Sequence, residues 1–111
     1  MAKPLDFRKI KKPTWTIILD DGKDTPLLVN MPTKSTWETI IELQDNLSSN
    51  GESTREDMDA LYEACAEIMS NNKGGITVTV EDLESCLDFV DIITLFEGYI
   101  AFVQEVIDSK N

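Results

Sequence analysis

The strongest periodic pattern in the chain lies near its C-terminus. Between residues 89 and 108, apolar side chains recur every three or four positions, and polar side chains fill the opposite half of the cylinder. The apolar arc covers about half of the circumference, whereas a surface helix normally faces its core with a stripe of roughly 100°. The pattern predicts a helix that either sits centrally between two neighbours or keeps part of its apolar face for a partner.

The two edges of that arc form the candidate partner-binding surface. One edge carries Ile93 and Ile100, and the other carries Leu95 and Phe102. A helix that keeps apolar surface for a partner should leave one of these pairs exposed in the isolated chain, or covered by a second copy. We therefore predict that one of the two pairs contacts a partner protein.

Three shorter segments upstream also have helical periodicity. Apolar spacing and start signals together predict four helices, at about residues 34–48, 54–71, 80–87 and 89–108. Each helix begins near a pair of side chains, three positions apart, that can accept hydrogen bonds from free amides of the first turn. The predicted pairs are Ser35 with Glu38 (or Thr33 as the cap), Ser53 with Glu56, Thr79 with Asp82, and Asp88 with Asp91.

Residues 14–31 have the pattern of a β-hairpin. Trp15, Ile17 and Leu19 occupy alternate positions, so a strand would place them on one face. An Asp-Gly pair, which favours a tight turn, separates this run from a second β-prone run. Pro26 has no amide proton, and it therefore fits the start or the edge of the return strand.

These patterns predict an α+β fold, in which an N-terminal β-hairpin packs on a small bundle of about four helices. Residues 76–78 are a short β-prone run and a candidate third strand. A chain of 111 residues is long enough for one core, and we expect a single domain over residues 14–111. Residues 1–13 lack a clear period and are predicted to be a flexible basic arm.

The charge of the chain is uneven. Its formal net charge is −11, from 21 acidic and 10 basic residues. The first twelve residues contain five of the basic side chains and one acidic side chain, so the remainder carries a net charge of −15. Such a body repels nucleic acid and anionic membranes and favours basic protein partners. The basic arm is interpreted as a frayed terminus or as a contact for RNA or an acidic protein surface.

Residue types that carry chemistry are scarce. The chain has no histidine, the commonest general base and transition-metal ligand, and two separated cysteines do not make a structural zinc site. The acidic run at residues 20–24 lacks the ligand spacing of a calcium loop, and Gly74–Gly75 lacks the lysine of a phosphate loop. We expect a protein that is not an enzyme and that needs neither a cofactor nor a metal.

Both cysteines occupy apolar positions of helical patterns. We predict that Cys65 and Cys86 are reduced, buried and dispensable, as expected for a protein of the cytoplasm. The N-terminus lacks the apolar run of a signal peptide, and acidic residues interrupt the longest apolar segment, so we expect no membrane association.

Several short motifs, in a particular order, resemble the short tail assembly chaperones of long-tailed bacteriophages and prophages. The resemblance spans most of residues 15–105, and the family has no invariant catalytic or ligand residue to assign. The motifs are Leu19-Asp20-Asp21-Gly22-Lys23, Val29-Asn30-Met31-Pro32-Thr33, Ile68-Met69-Ser70-Asn71-Asn72-Lys73 and Val80-Glu81-Asp82-Leu83, followed by Asp88, Phe96, Tyr99 and Phe102-Val103.

The resemblance implies a non-enzymatic role in the cytoplasm of a bacterial host. Chaperones of this kind keep the tape measure protein soluble until tail tube subunits assemble around it, and they often exist in a short form and a frameshifted long form. Partners would then be the tape measure and tail tube proteins, with a homo-oligomer as a further option. Two alternatives stay open: an acidic inhibitor or regulator that mimics nucleic acid, and a structural tail component.

Overall fold

Two strands and four helices follow one another along the part of the chain that the structure describes. The computed structural model describes residues 4–19, 26–49 and 55–109. A short 3-10 turn at Phe7–Lys9 lies within the basic arm, ahead of the first strand. The elements are β1 (Trp15–Ile18), β2 (Pro26–Val29), α1 (Lys34–Ser49), α2 (Arg55–Ser70), α3 (Val80–Cys86) and α4 (Phe89–Ser109). The predicted α+β fold, a hairpin followed by four helices, is confirmed.

Two of the predicted start signals form reciprocal hydrogen bonds. The Thr79 hydroxyl accepts from the Asp82 amide at 3.1 Å, and the Asp82 carboxylate accepts from the Thr79 amide at 3.0 Å. These backbone and side-chain hydrogen bonds hold the pKa of Asp82 below its usual value. Asp88 and Asp91 make the same exchange at 2.9 and 3.2 Å, so α4 begins immediately after α3 ends.

Two residues were predicted as alternative caps of α1, Thr33 and Ser35, and the structure has the first of them. Thr33 is the cap, because its hydroxyl accepts from the Thr36 amide at 3.4 Å. The Ser35–Glu38 pair is not a capping box, since Ser35 already lies inside the helix and its carbonyl accepts from the Thr39 hydroxyl at 3.2 Å. Ser53, from the pair predicted for α2, lies outside the described residues.

The strands pair in an antiparallel hairpin, as predicted. Trp15 lies opposite Val29, and Ile17 lies opposite Leu27. The side chains of Trp15, Ile17 and Leu19 are half-buried on the inner face, whereas Thr16 and Ile18 point outward and are exposed. The predicted turn residues of the hairpin, 20–25, lie outside the described residues.

The connection between α2 and α3 covers the second edge of β2. The Asn30 amide donates to the Asn71 carbonyl at 2.9 Å, and the Lys73 amide donates to the Leu28 carbonyl at 3.0 Å. The buried Asn72 side chain fixes this turn, because it bonds the Met69 carbonyl and both backbone groups of Ile76. The candidate third strand at residues 76–78 does not form.

Helix α2 is the element that the others share. It contacts α1, α3, α4 and β2. Its buried side chains include small ones, Ala64, Cys65 and Ala66, and these let neighbouring helices approach closely. The Cys65 thiol, for example, donates to the Ile92 carbonyl of α4 at 3.8 Å. The broad apolar arc of α4 is therefore covered on one side by α2.

The hairpin covers the other side of α4 through one aromatic cluster. The Trp15 ring lies 5.9 Å from the Tyr99 ring and is stacked on Phe102 with a centroid distance of 6.2 Å. The Tyr99 hydroxyl donates to the Asn30 carbonyl at 2.8 Å, which ties the end of β2 to the middle of α4. Gly98 faces the same indole, and this close approach requires a residue without a side chain.

We predict that Gly98→Ala destabilises the fold by up to about 2 kcal/mol. A Cβ at this position would lie 2.9 Å from a ring carbon of Trp15. Overpacking typically costs about 1–3 kcal/mol, which exceeds the gain of up to about 1 kcal/mol from the higher helix propensity of alanine. Urea unfolding followed by tryptophan fluorescence measures the difference. In a Trp15→Leu background, the same change should be neutral or stabilising; equal destabilisation in both backgrounds would contradict the contact.

Candidate protein-binding groove

The hydrogen-bond pattern of β2 determines which backbone groups of β1 are free. In an antiparallel strand, successive residues direct their N–H and C=O groups to opposite edges. The backbone groups of Leu28 and Asn30 bond residues 71–73. The N–H and C=O groups of the residues between them, Leu27 and Val29, therefore face β1. By the register of the hairpin, Trp15 and Ile17 then pair with β2. The N–H and C=O groups of Thr16 and Ile18 point to the open edge, where no hydrogen bond reaches them from any described residue.

A groove of about 370 Å³ runs along this open edge. One wall is β1, and the opposite wall is formed by the end of α3 and the first half of α4. Its inward apolar residues include Leu87 and Leu95, and Thr94 adds a hydroxyl. The lining residues are Trp15, Thr16, Ile17, Ile18, Leu19, Cys86, Leu87, Asp91, Thr94 and Leu95.

The helical wall of the groove is acidic. Asp91 is the charged residue that lines the groove itself. Burial raises the pKa of Tyr62 on α2, and the nearby carboxylates of Glu84, Asp88 and Asp91 raise it further. Those three carboxylates therefore gather at the junction of α3 and α4. Within the described ranges, neither of the ion pairs, Arg8–Asp6 and Lys34–Glu38, involves them.

The four residues predicted as a partner surface have different positions. Leu95 and Ile100 are buried, with 7% and 8% of their surface exposed. Ile93 and Phe102 are half-buried and pack against the core. The expectation that one pair is exposed in the isolated chain is therefore wrong, because α2 and the hairpin cover both edges of the arc. The structure does not bring the four together, and Leu95 alone of them lines the groove.

Other apolar side chains are exposed instead. On α4 they lie at its two ends, where Val90 is 69% exposed and Ile107 is 40% exposed. On β1, Ile18 is 66% exposed at the groove.

Sequence periodicity missed the groove residues Thr16, Ile18 and Leu87, because a free strand edge is a property of pairing and not of side-chain pattern. Pro26 was the available signal, since its missing N–H marks the residues of β2 that face away from β1.

The two cysteines differ in exposure. Cys65 is fully buried, as predicted, and burial raises its pKa to about 12. The prediction of a buried Cys86 is wrong: this residue is exposed and lines the groove. It lies in the last turn of the short helix α3, where Leu83 takes the buried position and the Cys86 thiol donates to the Asp82 carbonyl at 2.9 Å.

The basic arm lies on a different side of β2 from the groove. An opening of about 620 Å³ separates it from the turn after α2. Leu5 and Phe7 are about 70% exposed, and Arg8 makes a bidentate ion pair with Asp6. The opening is lined by Phe7, Arg8, Ile10, Lys11, Lys12, Asn30 and Lys73.

Residues 4–19, 26–49 and 55–109 contain no candidate metal site and no candidate membrane span. No group of three or more cysteine, aspartate or glutamate side chains is arranged to hold a metal ion in these ranges. No helix there is both long enough and apolar enough to cross a membrane.

Comparison of the chain with protein-family models, with curated proteins and with solved structures gave no match.

We predict that Cys86 is the one thiol that reacts in the native protein. A thiol reacts as its thiolate, and the buried Cys65 combines a raised pKa with no exposed surface. Titration with Ellman's reagent should give one equivalent under native conditions and two after denaturation. Cys86→Ser should remove the native reaction while leaving the second thiol to appear on unfolding. Rapid reaction of Cys65 in the folded Cys86→Ser variant would contradict the packing of α2 on α4.

Proposed function

We propose that this protein is a non-enzymatic assembly chaperone that binds another protein in the groove beside β1. The observation that supports a binding role is the unpaired edge of β1 next to apolar residues of α3 and α4. Exposed strand edges are surfaces on which proteins add a further strand. The identity of the client comes from the sequence resemblance: the tape measure protein of a long-tailed phage, in the cytoplasm of the bacterial host.

The acidic surface fits the task of keeping a client in solution. Exposed carboxylates are distributed over α1, α2, α3 and α4. A net charge far from zero keeps a complex soluble by repulsion between copies, even when the client itself is apolar. In this proposal, the chaperone holds the client until tail tube subunits are recruited and replace it.

The alternative of a nucleic-acid mimic has less support from the geometry. A mimic needs carboxylates on one face at a spacing close to that of phosphates. Here the exposed acidic residues lie on four helices that surround a shared core. The same distribution is expected of a surface that serves solubility. The structural tail component stays an alternative, and it differs from a chaperone in being retained in the mature particle.

Co-expression tests the chaperone function directly. The tape measure protein encoded in the same genome is produced in bacteria, alone or together with this chain, and its soluble fraction is measured after centrifugation. We expect the client to aggregate alone and to stay soluble as a complex with the chain. An unrelated acidic protein of similar size is the control for a general charge effect. A client that is equally insoluble with and without the chain would contradict the proposal.

Mass spectrometry of purified virions distinguishes a chaperone from the remaining alternative, a structural tail component. A chaperone is released when the tail tube forms, so peptides of this chain should be missing from mature particles while tube peptides are abundant. Stoichiometric retention would identify a structural component instead.

A further inference from the structure

We propose that the groove takes an extended, basic segment of the client, which adds to β1 as a third strand of the sheet. This inference rests on the proposed chaperone function, because it states how the client is held. The juxtaposition that carries it is the open edge at Thr16 and Ile18 facing the acidic, partly apolar wall formed by α3 and α4.

The backbone of β1 supplies the first part of the argument. Thr16 and Ile18 each present one N–H and one C=O to the groove, so an added strand can make four hydrogen bonds there. These N–H and C=O groups recur every two residues, which is the spacing of the backbone groups along a strand. A helix cannot pair with them, because its own N–H and C=O groups are already bonded within the helix. The occupant is therefore extended where it contacts β1.

The shape of the groove selects a single segment over a second copy of this chain. A second copy would bring its own β2 and its own helices α3 and α4 along with its β1. The end of α3 and the first half of α4 form the opposite wall of the groove, which includes Leu87 and Leu95, so a second copy would have to place its own elements against this wall. A single strand that pairs with β1 would instead bring only its inward side chains over the two leucines.

Charge determines the composition of the segment. Asp91 lines the groove, Asp88 exchanges hydrogen bonds with Asp91, and Glu84 lies in α3, whose end contributes to the same wall. Within the described part of the chain, no lysine or arginine lines this groove. A segment with lysine or arginine among alternating apolar residues satisfies these carboxylates, whereas an acidic segment, or a second copy with a net charge of −11, is repelled.

The exposed thiol of Cys86 makes the groove measurable in the unmodified protein. A short synthetic peptide of alternating lysine and valine is the probe, and the same peptide with glutamate in place of lysine is its matched control. We expect the basic peptide to slow labelling of Cys86 by a maleimide at least about tenfold at saturation, and the acidic peptide to have no effect. Added salt should weaken this protection, because the charges are solvent-accessible.

A proline variant tests the backbone contact. In Ile18→Pro the open-edge N–H is lost, while pairing with β2 is kept, since this amide points away from β2. We expect the dissociation constant of the basic peptide to rise about tenfold or more. Ile18→Thr is the matched variant, because it also removes the exposed apolar side chain but keeps the N–H, and it should bind the basic peptide more tightly than Ile18→Pro by about tenfold or more. Circular dichroism establishes that both variants are folded.

The possible results separate this inference from the function on which it rests. Loss of peptide binding in Ile18→Pro, together with loss of client solubility on co-expression, supports both. Equal binding of the basic and acidic peptides, unprotected Cys86, or a folded Ile18→Pro that binds as well as Ile18→Thr would overturn the inference, even if the client stays soluble. Protected Thr16 and Ile18 amides in a dimer without peptide would identify a second copy as the occupant and overturn it too. If the peptide binds and the tape measure protein does not, the groove stands and the chaperone function fails.

Discussion

Strand β2 has two edges, and the fold uses both of them. One edge pairs with β1, and the other accepts and donates hydrogen bonds to the turn that follows α2. This double pairing fixes the direction of every backbone group in the hairpin. It leaves the outer edge of β1 as the place where the sheet can grow, and the location of the groove follows from it.

The helices then hold that edge at a fixed distance from a second wall. Trp15 packs on Gly98 and stacks on Phe102, while Tyr99 bonds the carbonyl of Asn30, so both strands are anchored to α4. Helix α3 joins the same wall because the Asp88–Asp91 exchange starts α4 directly after it. A free hairpin is marginally stable in water, and here the aromatic cluster gives it a defined position. A preformed groove lowers the ordering cost of binding an extended segment.

Periodicity predicted the elements well, because the apolar and polar positions of each helix are set by the same core that the structure contains. The caps at Thr79 and Asp88 were predicted for an equally local reason, since each bond spans three residues. Two of the errors, the exposure of the α4 edges and the burial of Cys86, concern long-range packing. The arc of α4 was wide because two different elements cover it, and Cys86 sits in a last turn where Leu83 alone faces inward. The apolar pattern of α4 does not show which elements cover its two edges. The pattern of β1 likewise does not show which of its two edges stays unpaired.

Amide hydrogen exchange, measured residue by residue by NMR spectroscopy, tests the central claim about the open edge most directly. In the isolated chain, the amides of Ile17, Val29, Asn30 and Lys73 should be protected, because each is bonded within or across the sheet. The amides of Thr16 and Ile18 should exchange quickly. Protection of Thr16 and Ile18 equal to that of Ile17, in a monomeric sample without any partner, would mean that the edge of β1 is already paired and would contradict the account.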